Sequence, residues 1–328
     1  MEQHRQSLEL LSLWVAASNI IPGSFGSIGD NSNAFQQCLG VCKEANCSSL
    51  TGQQSFHAAQ SMHLWLTLWT CEEECGYWCM WEAVNEFVGA GRGVPQFHGK
   101  WPFVRILGMQ EPASVFFSLL NLASFLYMLV SILRKLSPSV PMYSAWLLYS
   151  LLGVYTWTWS SLFHTRDLPF SERMDYFCAF ASVLFGFYLS LLRVLAPGNP
   201  MGSVSLALPF FAYYVYHVHY LLSRPSFDYS YNMKAGVIVG ILNSVTWLCF
   251  CAGEWRRGRW RAVWPCVLVV VWAVAALSLE LWDFPPFFWT FDAHSLWHLA
   301  TAPLGLLWTK FLIADCEYMQ EQRKWKLD

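Results

Sequence analysis

The chain has 328 residues, of which 55% are hydrophobic and 17% aromatic, and only 13% are charged, where soluble proteins average about 25%. That deficit excludes a simple soluble domain. The 20 basic and 22 acidic side chains nearly cancel, so neither a basic surface nor an acidic tail is indicated, and no nucleic-acid partner is expected.

From the amino terminus, residues 1–25 open with Arg5, pass through the apolar stretch 8–17 and reach Ala16, Ala17 and Ser18. This is the order of a secretory signal peptide, with an uncleaved amphipathic start as the alternative. Six of the eleven cysteines follow within residues 38–79, and Asn46-Cys47-Ser48 forms a glycosylation sequon. Cys38, Cys42 and Cys47 are spaced by four and five, and Cys71, Cys75 and Cys79 by four, so each triplet follows one helical face. Facing stripes on two antiparallel helices allow the nested bridges Cys38–Cys79, Cys42–Cys75 and Cys47–Cys71, one of 15 connectivities open to six cysteines. Zinc is the competing use, but its usual tight Cys-x-x-Cys pairs are absent, and an oxidising lumen is expected.

Beyond residue 111, seven windows without Asp, Glu, Lys or Arg run over 112–133, 136–164, 176–192, 194–223, 235–253, 262–279 and 293–309. A bilayer span needs about 20 mostly apolar residues, so the expected fold is an all-α membrane protein: a seven-transmembrane helix bundle behind an N-terminal luminal cysteine-rich helical domain. The boundaries are a signal peptide over 1–25, the luminal domain and its connecting segment over 26–111, the bundle over 112–314 and a cytosolic tail over 315–328. Arg134, Lys135, Arg193, the run Arg256 to Arg261, and Lys310 to Lys326 all follow odd-numbered spans or the last one. Positive charge favours the cytosol, which places the amino terminus in the lumen and the carboxy terminus outside it.

Chemistry-bearing residues collect at one membrane level. His294 and His298 are four apart at the start of the seventh window, Ser160 precedes His164 by four at the end of the second, and Asp175 stands at the start of the third. With a luminal amino terminus all five meet near the luminal leaflet. Ionisable groups beside apolar spans are costly unless paired or functional, and three imidazoles with an open position suit catalytic zinc. Copper, iron and nickel stay open on ligand type. His217 and His219, two apart among tyrosines, read as an interfacial belt, and Glu280, Asp283 and Asp292 as solvated loop acids. Cys178, Cys249, Cys251 and Cys266 read as packing residues.

These residues, together with VPQFHGKWPF (94–103), QEPAS (110–114), FHTRD (163–167), MDYFCA (174–179), FDYSYN (227–232) and LWDFPP (281–286), resemble the post-GPI-attachment-to-proteins factor 3 (Per1-like) family. That family belongs to the superfamily of alkaline ceramidases and adiponectin- and progestin-type receptors. The resemblance runs from Cys38 to the last residues. It implies a Golgi membrane phospholipase A2 that removes the sn-2 acyl chain from the lipid of GPI-anchored proteins, with the endoplasmic reticulum as a second location. Its substrates and partners are then GPI-anchored proteins and membrane lipid. It also implies zinc held by His164, His294 and His298, with Asp175 handling the proton of the attacking water and Ser160 helping to stabilise the oxyanion. A ceramidase-like amide hydrolase, and a non-catalytic receptor or escort for GPI-anchored cargo, are the competing functions.

Overall fold

A computed structural model describes residues 27–325, and the signal peptide expected over 1–25 lies outside them. The described chain is nearly all helical and divides into two compact units, one of residues up to 52 together with 71–102, the other of 53–70 together with 103 onward.

In the first unit, Ser32 accepts from the Phe35 amide and starts α1, Asn33–Asn46, a side-chain cap of the common N-terminal kind. This helix packs on α4, Cys71–Gly89. The spacing-four cysteines face one another, and the bridges are Cys38–Cys79, Cys42–Cys75 and Cys47–Cys71, nested as antiparallel stripes require. Asp30 accepts from the His98 amide at 2.9 Å while Gly29 donates to the Gln96 carbonyl at 3.0 Å, tying the 94–102 segment to the start of α1. A Cβ on Gly29 would meet that carbonyl oxygen at 2.5 Å, so glycine is needed there. Asn46 is exposed at the end of α1, its amide donating to the Cys42 carbonyl. Replacing Cys42 and Cys75 by serine is expected to cost about 2–5 kcal/mol of this unit's stability. Limited proteolysis, with cleavage appearing between 43 and 74, checks it.

Short helices α2, Leu50–Ala59, and α3, Met62–Leu66, lead from α1 to α4. The second unit's bundle comprises α5 Pro112–Lys135, α6 Tyr143–Thr165, α7 Pro169–Leu195, α8 Pro200–Leu222, α9 Tyr229–Arg256, α10 Trp260–Trp282, α11 Ala293–Thr301 and α12 Leu304–Trp325. α5 is central to the site, packing on α6, α11 and α12. Its buried face is a polar and small-residue stripe of Ser114, Ser118, Asn121 and Ser124, the composition that lets apolar helices approach closely. The approach is tight: a Cβ on Gly305 would meet Ser124 Oγ at 2.4 Å, and one on Gly153 the Phe125 ring at 2.0 Å. Further along, Trp146, Trp247 and Trp308 form a buried aromatic core.

Among the described residues, five segments are long and apolar enough to cross a membrane: α5, α7, α9, α10 and residues 293–323, which take in α11 and most of α12. The expected count was seven. The other two windows are helices of 23 residues each, α6 and α8, but their many Tyr, Trp, Ser, Thr and His side chains hold their hydropathy below that of the five. Boundaries also move. Residues 136–142 and 196–199 lie between helices, and the seventh window is interrupted between α11 and α12 at Pro303, which has no N–H to continue the ladder. α7 begins at Pro169, which puts Asp175 in its second turn instead of at its start. α12 runs on to Trp325, with Asp315 and Cys316 buried, so the chain beyond 314 begins as packed helix.

Candidate metal centre

The end of α6 supplies His164 and one turn of α11 supplies His294 and His298. Asp292 caps α11 by accepting from the Ser295 amide at 2.9 Å, which fixes the helix start one residue before His294. Burial pushes the Asp292 carboxyl above its ordinary range. The His298 carbonyl is held by the Asn121 amide at 2.7 Å and by Thr301 Oγ1 at 3.0 Å, anchoring α11 to α5. Before α5, the Gln110 and Glu111 amides donate to the Thr165 and His164 carbonyls, both at 3.0 Å. This backbone splice brings the Glu111 side chain onto His164.

Nε2 of His294 lies 2.9 Å from Nε2 of His298 and 3.4 Å from Nε2 of His164. The three residues' ligand atoms all fall within 4.8 Å of one another, and theirs is the group among the described residues able to hold a metal. His164 and His298 are buried and His294 is half-buried. Each far nitrogen is engaged: His164 Nδ1 with Glu111 at 2.7 Å, His294 Nδ1 with Glu280 at 2.7 Å, and His298 Nδ1 with Ser118 at 3.1 Å. An ionised carboxylate only accepts, so Nδ1 is the donor in the first two pairs. With Nδ1–H donating, the neutral forms of His164 and His294 would aim Nε2 lone pairs at each other and at His298, an arrangement that a cation would relieve. Ligands at 2.0–2.1 Å on tetrahedral corners stand about 3.3 Å apart, close to the spacing found. Carboxylate–histidine pairs of this kind orient imidazole ligands and raise their basicity, so the residues present fit a metal.

Ser160 is buried, its hydroxyl 3.1 Å from Ser118 Oγ, which in turn touches His298. Asp175 is half-buried on α7 beside Tyr176, whose ring centroid is 6.3 Å from that of Phe163, the neighbour of His164. Trp157 and Trp297 wall the imidazoles, at 5.3 Å edge-on to His298 and 5.7 Å stacked on His294.

Three partners were not singled out by spacing: Glu111, Ser118 and Glu280. Glu111, Ser114, Ser118 and Asn121 do follow helical spacing along a largely apolar span, and that polar stripe is the signal that finds Glu111 and Ser118. Two sequence readings are corrected here. Glu280 is a helical residue bonded to His294, not a solvated loop acid, and Asp292 is a buried cap. His217 is not at an interface: it is fully buried, stacked 3.6 Å from Phe180, while His219 on the other face is exposed. Cys178, Cys251 and Cys266 are buried, and Cys249 is exposed.

Membrane-competent helices and three converging imidazoles define a multi-pass helical membrane protein with a metal-competent histidine centre. Residues 61–316 match the Per1-like family. A Xenopus laevis protein described as GPI-specific phospholipase A2-like PGAP3 is 43% identical over 298 residues, 89% of this chain and 91% of that one. The Homo sapiens protein of the same description is 39% identical over 305 residues, 92% and 94% of the two chains. A Drosophila melanogaster protein described as post-GPI attachment to proteins factor 3 is 37% identical over 308 residues, 92% and 93%. No solved structure matches significantly. The chain belongs to the Per1-like family.

Proposed function

We propose that this chain is a zinc-dependent phospholipase A2 that hydrolyses the sn-2 acyl ester of the lipid in GPI-anchored proteins. The observation that carries the reading is the convergence of three Nε2 atoms whose Nδ1 partners are Glu111, Glu280 and Ser118. Relatives described as GPI-specific phospholipase A2-like, matched over about nine-tenths of the chain, support the choice of substrate.

His164, His294 and His298 would hold the metal. Bound there, zinc would polarise the ester carbonyl and make water nucleophilic near neutral pH. Glu111 and Glu280 keep His164 and His294 in the tautomer that presents Nε2. With His298 presenting Nε2 as well, its Nδ1–H donates to Ser118, Ser118 donates to Ser160, and the Ser160 proton is left to donate to the ester oxygen as negative charge develops. Asp175 is the carboxylate assigned to accept the water proton and return it to the departing alcohol. Water's oxygen joins the acyl carbon, the sn-2 ester bond breaks, and a free fatty acid and a lyso-lipid leave.

The same reading takes α6 and α8 as the second and fourth of seven spans. It places residues 26–111 and the histidine end in the lumen of the Golgi or the endoplasmic reticulum, and 315–328 at the cytosolic end. It also takes residues 1–25 as a signal peptide and Asn46 as a glycan acceptor. A glycosylation site introduced near Ser226 is expected to be modified, and a carboxy-terminal tag to be digested in sealed vesicles. A protected tag would reverse the orientation.

Replacing Glu111 by glutamine keeps the shape but removes the ionised acceptor for His164. Zinc affinity is expected to fall about 10–100-fold, read by titration of the metal-stripped protein. Unchanged affinity would separate Glu111 from the centre.

A further inference from the structure

Two turns beside the histidine centre have the wrong residues for their backbone. In the first, the Met109 amide donates to the Ile106 carbonyl at 3.0 Å and the two residues between, Leu107 and Gly108, both have positive φ, 53° and 80°. In the second, Thr290 donates to the Phe287 carbonyl at 3.1 Å around Phe288 and Trp289, with φ 53° and 56°. Turns with two left-handed central residues favour Asn, Asp and Gly, because a Cβ is strained there. Here Leu107 and Phe288 take the first central position, and they are 69% and 87% exposed. A third residue repeats the pattern. Leu68, φ 60° and 65% exposed, stands just past the end of α3 where glycine is usual.

These tips form one assembly. The Val104 amide donates to the Trp289 carbonyl at 2.9 Å, joining the two turns, and Trp69 Nε1 donates to the Gly108 carbonyl at 2.9 Å, joining Leu68 to them. The Trp69 ring lies between the Arg105 and Arg166 guanidinium groups, at 4.1 and 4.0 Å. Each turn is also chained to a metal-ligand helix. Gln110 and Glu111, directly after the first, bond the backbone of Thr165 and His164, and the second runs into Asp292 and α11. The first turn lies within a few residues of the start of α5 at Pro112, and the second between the end of α10 and the start of α11. Both tips therefore lie at the ends of membrane-competent segments.

We propose that Leu68, Leu107 and Phe288 form an apolar lip that inserts into the leaflet on the histidine side and brings a bilayer lipid's ester to the centre. Strain at bulky residues is retained because it aims them outward, and a leaflet is the surface within their reach. The lip stands on geometry alone; only its kinetic consequence rests on the hydrolase reading.

The test uses the full chain in lipid nanodiscs with a fluorescent amino acid in place of Leu107 or Phe288, and one in place of Ile238 on α9 as the deep reference. Lipids brominated near the glycerol are expected to quench the first two labels, lipids brominated near the chain ends the third, and iodide in the water none strongly. Strong iodide quenching at 107 and 288 with no effect of brominated lipid would overturn the lip. A second arm uses Leu107→Asn with Phe288→Asn, since asparagine suits the left-handed backbone and keeps the turns. Hydrolysis of GPI lipid in nanodiscs is expected to fall at least about tenfold relative to the same lipid dispersed in detergent. An equal rate ratio for variant and wild type would also overturn the proposal. Quenching is read without turnover, so failure of the hydrolase reading is distinguishable from failure of the lip.

Discussion

Replacing His294 and His298 together by alanine is expected to leave the protein without metal and to lower acyl release by at least about a thousandfold. Two of the three proposed ligands are then gone, and His164, still held by Glu111, would not retain an ion alone. The activation of water and ester disappears with the metal, and a thousandfold corresponds to about 4 kcal/mol of transition-state stabilisation. The imidazoles lie close to Ser118 and Glu280, not in the Trp146–Trp247–Trp308 core, so folding should largely survive. Elemental analysis of purified wild type and variant checks the metal, with about one zinc per chain expected in the first. Equal metal in both would remove these histidines from the centre.

The largest stability effect is expected at another place in the bundle, from Asp315→Ala. Asp315 on α12 holds Arg193 of α7 through two bonds, Nε to Oδ2 at 2.5 Å and Nη2 to Oδ1 at 2.8 Å, and both side chains are nearly buried. Arg259 approaches the same carboxylate at 3.9 Å and also pairs with Glu254. Removing one partner of a buried pair leaves an uncompensated charge and typically costs about 3–5 kcal/mol, whereas replacing both by apolar groups costs far less. The single variant should therefore unfold well below wild type in a thermal scan. Arg193→Met with Asp315→Leu should recover much of the loss. A single variant as stable as wild type would make the pair incidental.

Spacing makes the His294/His298 pair legible because one helical turn brings side chains four apart to one face, a rule that needs no tertiary information, whereas His164 joins them only in the folded bundle. The cysteine stripes were readable for the same reason. The partners of the imidazoles were hidden by the way spans are read. A window that stops at the first charge ends at residue 279, so Glu280 falls in a loop on paper although α10 continues through Trp282. The same rule started the third window at 176 and pushed Asp175 out of a helix that begins at Pro169. Ser118 belongs to a legible polar stripe, but a serine in an apolar helix is common, and only the approach of α11 and α6 to α5 turns it into a link between His298 and Ser160. His217 was misplaced because tyrosines mark a membrane interface and an aromatic core alike, and Phe180, which decides between them, comes from another helix.

If water activated at the histidine centre cleaves the sn-2 ester of GPI lipid as proposed, one oxygen of the released acid comes from solvent. The direct measurement is incubation of the purified full chain with a defined diacyl GPI lipid in ¹⁸O-labelled water, with mass spectrometry of both products. A free fatty acid carrying one solvent oxygen and a matching amount of sn-2 lyso-lipid are expected, both abolished by a zinc chelator and restored by zinc. No lyso-lipid from a zinc-loaded protein, or release that ignores the chelator, would contradict that mechanism.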